Sequence, residues 1–139
     1  MAERIIDAKY AIVGRVASVA AKAALLGDSI SIVNCEKAVI SGTRTRVLAR
    51  EERKRQRGIP RKGPFVSRLP DRFMRRIVRG MLPYKQEKGK LAYKRILCYS
   101  GVPEAFKGKN IETVEGAHIS KLMGYPYVTI EQICKYLGR

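Results

Sequence analysis

Catalysis needs reactive side chains that can be brought together, and the chain supplies one histidine, three cysteines and twelve carboxylates. His118 has no Ser-centred elbow and no neighbouring cysteine to make a nucleophile and base pair. Cys35, Cys98 and Cys134 are odd in number, far apart and outside any CxxC or Cys/His grouping, so they suggest neither a disulfide framework nor a zinc site. They read as small core residues. Glu51-Glu52, the one adjacent acidic pair, sits among arginines where i,i+4 ion pairs account for it. Gly14-Arg15 and Gly42-Thr43-Arg44 precede helical sequence, yet neither has the spacing of a phosphate-cradling or dinucleotide-binding loop. The expectation is therefore no enzyme, no cofactor, no metal and no small-molecule substrate.

What the sequence does offer is cationic chemistry. Among 139 residues, 29 Lys and Arg face 12 Asp and Glu, for a net charge of +17. Residues 44–62 alone hold nine cations against two anions, and 63–95 hold ten against two, so nearly all the excess lies between Arg44 and Arg95. Both ends are close to neutral. Cations at that density repel one another unless a polyanion or counterions compensate. Arginine outnumbers lysine in this stretch, which favours nucleic acid over a merely solubilising face, since the guanidinium forks onto phosphate and stacks on bases. Tyr84, Tyr93 and Phe65 are placed either to stack on unpaired bases or to pack.

Two other polyanionic partners compete. A membrane-surface helix needs a broad apolar face, which residues 43–57 lack, and no run approaches the length of a membrane span. A cytosolic, soluble protein is expected. DNA is the closer rival, but base-edge reading calls for Asn, Gln and Ser, and Gln56 and Gln86 are almost the only amides in the basic stretch. A basic loop flanked by basic helices suits irregular folded RNA, followed by shape and backbone. A DNA-binding protein, or an RNA-binding protein of another kind, is the alternative.

Something must hold these cations in place. A hydrophobic content of 45% excludes a disordered chain, and the length suits one domain. A strand at Ile5–Ala8, a helix over Arg15–Leu26 stopped by Gly27, and a strand at Ile30–Asn34 make a βαβ unit, hence a parallel sheet. In that first helix Val16, Val19, Ala20, Ala23 and Leu26 recur at helical spacing. Helical residues dominate 43–57, but Val47 and Leu48 are their only large apolar side chains, too few to anchor the segment. Residues 58–64, with two Gly and two Pro, read as an extended loop. The next helix, Arg72–Leu82, sets Phe73, Ile77 and Met81 against Arg72, Arg75, Arg76 and Arg79, and ends at Pro83. A short helix over Gln86–Arg95 is weakened by Gly89, and Ile96–Tyr99 is a strand. Residues 102–126 read mostly as loop. Thr129 and Gln132 form a capping box for a last helix whose Ile130, Ile133, Cys134 and Leu137 share a face.

Several motifs, taken in order, resemble a known family. Asp7-Ala8, Gly14-Arg15-Val16-Ala17-Ser18, the run Ile32 to Gly42, Val78-Arg79-Gly80-Met81-Leu82-Pro83 and Tyr99-Ser100-Gly101-Val102-Pro103 are similar to large-subunit ribosomal protein thirteen, over residues 5 to about 106. Residues 57–72, with Gly63-Pro64-Phe65 and Leu69-Pro70-Asp71-Arg72, look like its archaeal and eukaryotic branch. Eukaryotic members extend further at the C-terminus, so an archaeal source is expected. The resemblance implies an α/β fold of three layers, α/β/α, around a small, mainly parallel sheet. It also implies a non-catalytic structural role on large-subunit ribosomal RNA, beside other ribosomal proteins, in the cytoplasmic ribosome.

On that footing Arg44, Arg46, Arg50, Arg53, Lys54, Arg55 and Arg57 are expected to lay one helix along phosphates. Arg61, Lys62 and Arg68 would enter a crevice between RNA helices, and Arg72, Arg75, Arg76 and Arg79 would form a second row, with Lys85, Lys88 and Lys90 beyond it. Gly80 lets backbone approach either RNA or a neighbouring helix; Met81 and Leu82 pack, and Pro83 stops the helix. Gly14 and Arg15 either hold a phosphate at a helix start or make a tight turn, and the turn is favoured.

Overall fold

The computed structural model describes residues 1–138. Strand β1 (Glu3–Asp7), helix α1 (Val13–Leu26) and strand β2 (Ser29–Val33) form the expected βαβ unit, with β1 and β2 parallel and Ile6 opposite Ile32. Helix α2 (Arg44–Gln56), α3 (Pro70–Gly80) and α4 (Glu87–Lys94) follow a short strand β3 (Val39–Ser41), and lead into β4 (Ile96–Cys98). The main sheet has the order β4-β2-β1-β5, all parallel, with β5 (Glu112–Thr113) at its edge.

Alternation along the strands sends neighbouring side chains to opposite faces. Ile6, Ile30, Ile32 and Ile96 pack into one continuous core with the alanines of α1, Met74 and Val78 of α3 and Ala92 of α4. Ile5 and Val33 face the other way, onto Phe106 in the 3₁₀ turn Glu104–Phe106, with Tyr99, Val102 and Ile111 around it. The sheet thus lies between a layer of helices and a thin layer made of that turn and its flanking coil. Small residues at 17, 20, 21, 23 and 24 let α1 sit close to the sheet, all of them buried.

The structure corrects several details. Helix α1 starts two residues earlier than expected, and Leu26 at its end is 78% exposed rather than in the core. Gly27, with φ of +113°, closes it by donating to Ala23 and Ala24 carbonyls. On α3 the buried residues are Phe73, Met74 and Val78, while Met81 lies outside the helix and is exposed. Residues 102–126 are not featureless: they supply β5, tied to β1 by the Arg4–Glu112 ion pair at 2.8 Å, and a 3₁₀ turn at Ile119–Leu122. Val39-Ile40 belongs to a second, two-stranded sheet, where β3 pairs antiparallel with β6 (Tyr127–Thr129). Helix α5 (Ile130–Tyr136) carries the expected capping box, and Ile130, Ile133, Cys134 and Leu137 are all buried.

Candidate nucleic-acid interface

Helix α2 has few apolar residues, so its attachment shows which cations are free. Val47 and Leu48 are buried, and the third inward residue is Glu51, only 2% exposed. A buried carboxylate needs compensation; Arg50 Nε and Lys54 Nζ supply it, each 3.1 Å from Glu51 Oε1. Glu51 thus pairs at i−1 and i+3 rather than the i+4 spacing expected, and Glu52 accepts from Gln56 at 3.2 Å. Arg55 donates to the Leu137 carbonyl at 2.7 Å, at the C-terminal end of α5, where a cation also suits the helix dipole. Two apolar residues, a compensated acid and one arginine hold the helix down.

The loop between α2 and α3 doubles back. Ile59 and Gly63 exchange two backbone hydrogen bonds, of 3.1 and 2.9 Å, and Gly63 takes φ of +77°. This is a tight hairpin turn instead of an extended loop, and it sets Arg61 and Lys62 at its exposed tip. Arg68 donates to the Gly138 carbonyl at 3.2 Å, and Arg76 to that of Phe65 at 3.2 Å.

On α3 the expected row of four arginines divides. Arg75 donates to the carbonyls of Ile96 (3.0 Å) and Tyr93 (3.3 Å) and lies over the Tyr93 ring at 4.2 Å, so it fastens α3 to α4 and β4. That arginine serves the fold. Arg79 stands 5.0 Å from the centre of the Tyr84 ring, and Arg72 is exposed with its guanidinium unengaged among the described residues. Of the three aromatics considered for stacking, Tyr93 is committed to Arg75, while Phe65 and Tyr84 are 72% and 41% exposed.

Arg44, Arg46, Arg53, Arg57, Arg61, Lys62, Arg72, Lys85, Lys88 and Lys90 are all exposed, and among the described residues their side chains make no hydrogen bond or ion pair. Exposed like-charged groups without carboxylates to balance them repel one another and attract anions. The remaining candidates, Arg50, Lys54, Arg55, Arg68, Arg75, Arg76 and Arg79, each have a partner within the chain. Arg50 and Lys54 pair locally with Glu51, where the sequence offered ion pairs, but no sequence signal marks Arg55, Arg68, Arg75 and Arg76, whose partners are backbone carbonyls at least eleven residues away.

The motif residues also find their places. Leu82 is buried and Pro83 follows the helix. Gly80 has no φ requirement, and a Cβ there would meet nothing within 4 Å, so no neighbouring helix demands a glycine. Gly89, expected to weaken α4, is required: a Cβ would overlap the Pro83 carbonyl. Gly14 lies inside α1 rather than in a turn, and Arg15 donates to the Gly116 carbonyl. Asn34, at φ +56°, donates to Asp7 Oδ1 at 2.9 Å, and Gly101 N–H donates to Glu36 at 2.9 Å, so these motif residues join strand ends.

Groups with catalytic chemistry are spent on structure. His118 Nδ1 accepts from Ser120 N–H at 3.2 Å and caps the turn that follows. Cys35 is fully buried, and its thiol is held well above its ordinary pKa by hydrogen bonding with Cys98 and then by burial. Among the described residues no group of three or more His, Cys, Asp or Glu could hold a metal ion, and no helix is long and apolar enough to cross a membrane.

Fold and surface together define a small α/β protein with one strongly cationic segment and near-neutral ends. Residues 2–105 match the family described as Ribosomal protein L13, and the chain belongs to that family. It is 44% identical over 136 residues to the large ribosomal subunit protein uL13 of Methanopyrus kandleri, covering 96% of this chain and 86% of that one. The protein of the same description from Methanococcoides burtonii is 42% identical over 134 residues, with 96% of each chain covered. That of Halobacterium salinarum is 36% identical over 137 residues, covering 99% of this chain and 92% of the relative. The expected family and its archaeal branch are thereby found.

Proposed function

We propose that this protein is a structural constituent of the large ribosomal subunit, held on ribosomal RNA by phosphate contacts and without catalytic activity. The observation that supports this most is the set of exposed, unpaired cations on α2, the 59–63 turn, the outer side of α3 and the 85–90 segment. Its relatives are named as large ribosomal subunit proteins, which supplies the particle. In this reading residues 1–139 act as one domain in the cytoplasmic ribosome, with 44–95 facing RNA and neighbouring ribosomal proteins beside it. Arg75 and Arg55 leave the contact set and serve the fold. The rest of the partnered group, Arg50, Lys54, Arg68, Arg76 and Arg79, retain donors for phosphate, since a guanidinium has five and an ammonium three.

The test is the salt dependence of binding to large-subunit ribosomal RNA. If about ten cations neutralise phosphates, affinity falls roughly 10³- to 10⁵-fold between about 50 and 200 mM salt. A nearly flat dependence contradicts the proposal.

A further inference from the structure

We propose that a cavity beside the cationic helix receives one extruded nucleotide of the bound RNA, with its base inside and its phosphate at the rim. The inference rests on the RNA-binding reading and adds a site to it. The cavity measures about 690 Å³ and lies between the start of α1, strand β3, helix α2, the 64–67 segment and α3. Small-molecule sites are of this size, apolar within and edged by a few polar groups. Ile12, Ile40, Val66, Phe73 and Ile77 line it, and so do Arg50, Lys54, Arg57, Arg76 and one carboxylate, Glu51. Arg50 and Lys54 are engaged with Glu51, which leaves Arg57 without a partner among the described residues and Arg76 with a single bond to Phe65 O. An apolar interior with surplus positive charge fits a flat base joined to a phosphate.

Two glycines carry the argument further. Gly14 and Gly80 both line this cavity, both lie within helices, and a Cβ at either would meet nothing within 4 Å. Neither takes a positive φ. A helical glycine is less favourable than alanine, and nothing in the fold requires these two. Their effect on the structure is open space at the cavity wall. An acidic, apolar peptide segment of a neighbouring protein is the competing occupant; the RNA-facing cations on either side favour the nucleotide.

The full chain is titrated with adenosine and guanosine 5′-monophosphate, with ribose 5-phosphate as the base-free control, and followed by methyl NMR. The nucleotides are expected to shift the Ile12, Ile40 and Ile77 methyls saturably and the control to leave them in place. Equal shifts with ribose 5-phosphate, no shift with either, or a preference for a short acidic peptide carrying one phenylalanine would overturn the site. In a second arm, Gly14→Leu and Gly80→Leu are expected to fold with undiminished melting temperature and to bind large-subunit ribosomal RNA about tenfold more weakly, the usual effect of losing one stacked base. Folded variants that bind as the parent does refute the cavity and leave the phosphate reading standing. Failure of the parent chain to bind ribosomal RNA would instead defeat that reading, and the nucleotide titration would still judge the cavity. If the leucine variants do not fold, the titration of the parent decides.

Discussion

A Cβ added at Gly89 would overlap the Pro83 carbonyl, while one added at Gly80 would meet nothing within 4 Å beyond its own helix backbone and chain neighbours. Helix propensity alone treats the two alike. The structure separates them: Gly89→Ala should destabilise by about 1–3 kcal/mol through overpacking, and Gly80→Ala, at the last residue of α3, should stabilise by about 0.5 kcal/mol at most. Urea melts of the two variants check this, and shifts of the same sign would refute it. Cys35 gives a second prediction at this scale. Its folded pKa is raised above the ordinary value of 9.0, so above that pH the unfolded chain has released a proton that the folded chain retains. Stability from this group is whole below 9.0 and declines as pH rises past it, with a slope of at most about 1.4 kcal/mol per pH unit. Cys35→Ala should melt with a flatter dependence over that alkaline range, and an unchanged slope contradicts the assignment. Such roles were only partly legible in sequence. Asp7, Asn34 and Gly101 stood out as motif residues, but a string of letters does not show that they bond across strand ends.

Element by element, legibility followed length and periodicity. Helix α1, with fourteen residues, and the capping box of α5 were readable because local spacing and a local hydrogen bond define them. Strand β5 has two residues and β3 and β6 three each, too short for any alternation to register, and their pairing depends on partners far along the chain. Helix α2 lies between these cases: its helical character was plain, but its attachment through Glu51 and Arg55 was not. This yields a contrast within one basic segment. Replacing Arg46, Arg53 and Arg57 together by Gln should leave urea stability within about 0.5 kcal/mol, as for surface substitutions generally, yet weaken binding to ribosomal RNA several-fold. Arg55→Ala and Arg75→Ala each remove a charged donor from backbone carbonyls and should cost about 1.5–3 kcal/mol. If the triple variant proves the less stable one, the division between free and structural arginines is wrong.

Over the whole molecule the charge of +17 is a local quantity, since residues 1–43 and 96–139 are close to neutral and supply the strands, while the basic segment adds Met74, Val78 and Ala92 to the core. Charge of this kind raises affinity for any polyanion, so it does not by itself choose RNA over DNA. Shape must make the choice. The free cations sit on a helix anchored at few points, on a hairpin turn, on the outer side of α3 and on the 85–90 segment, and Gln56 and Gln86 are the amides near them. A surface of that composition can follow phosphates around an irregular contour but has few groups for reading base edges in a major groove. Folded large-subunit ribosomal RNA should therefore bind more tightly than duplex DNA of equal phosphate number at one moderate salt concentration. The gap should persist as salt rises, because only the phosphate-dependent part common to both is screened away. Equal affinities at every salt concentration would reduce the interface to unspecific charge, and tighter binding to a particular duplex would move this fold's cationic face from RNA to DNA.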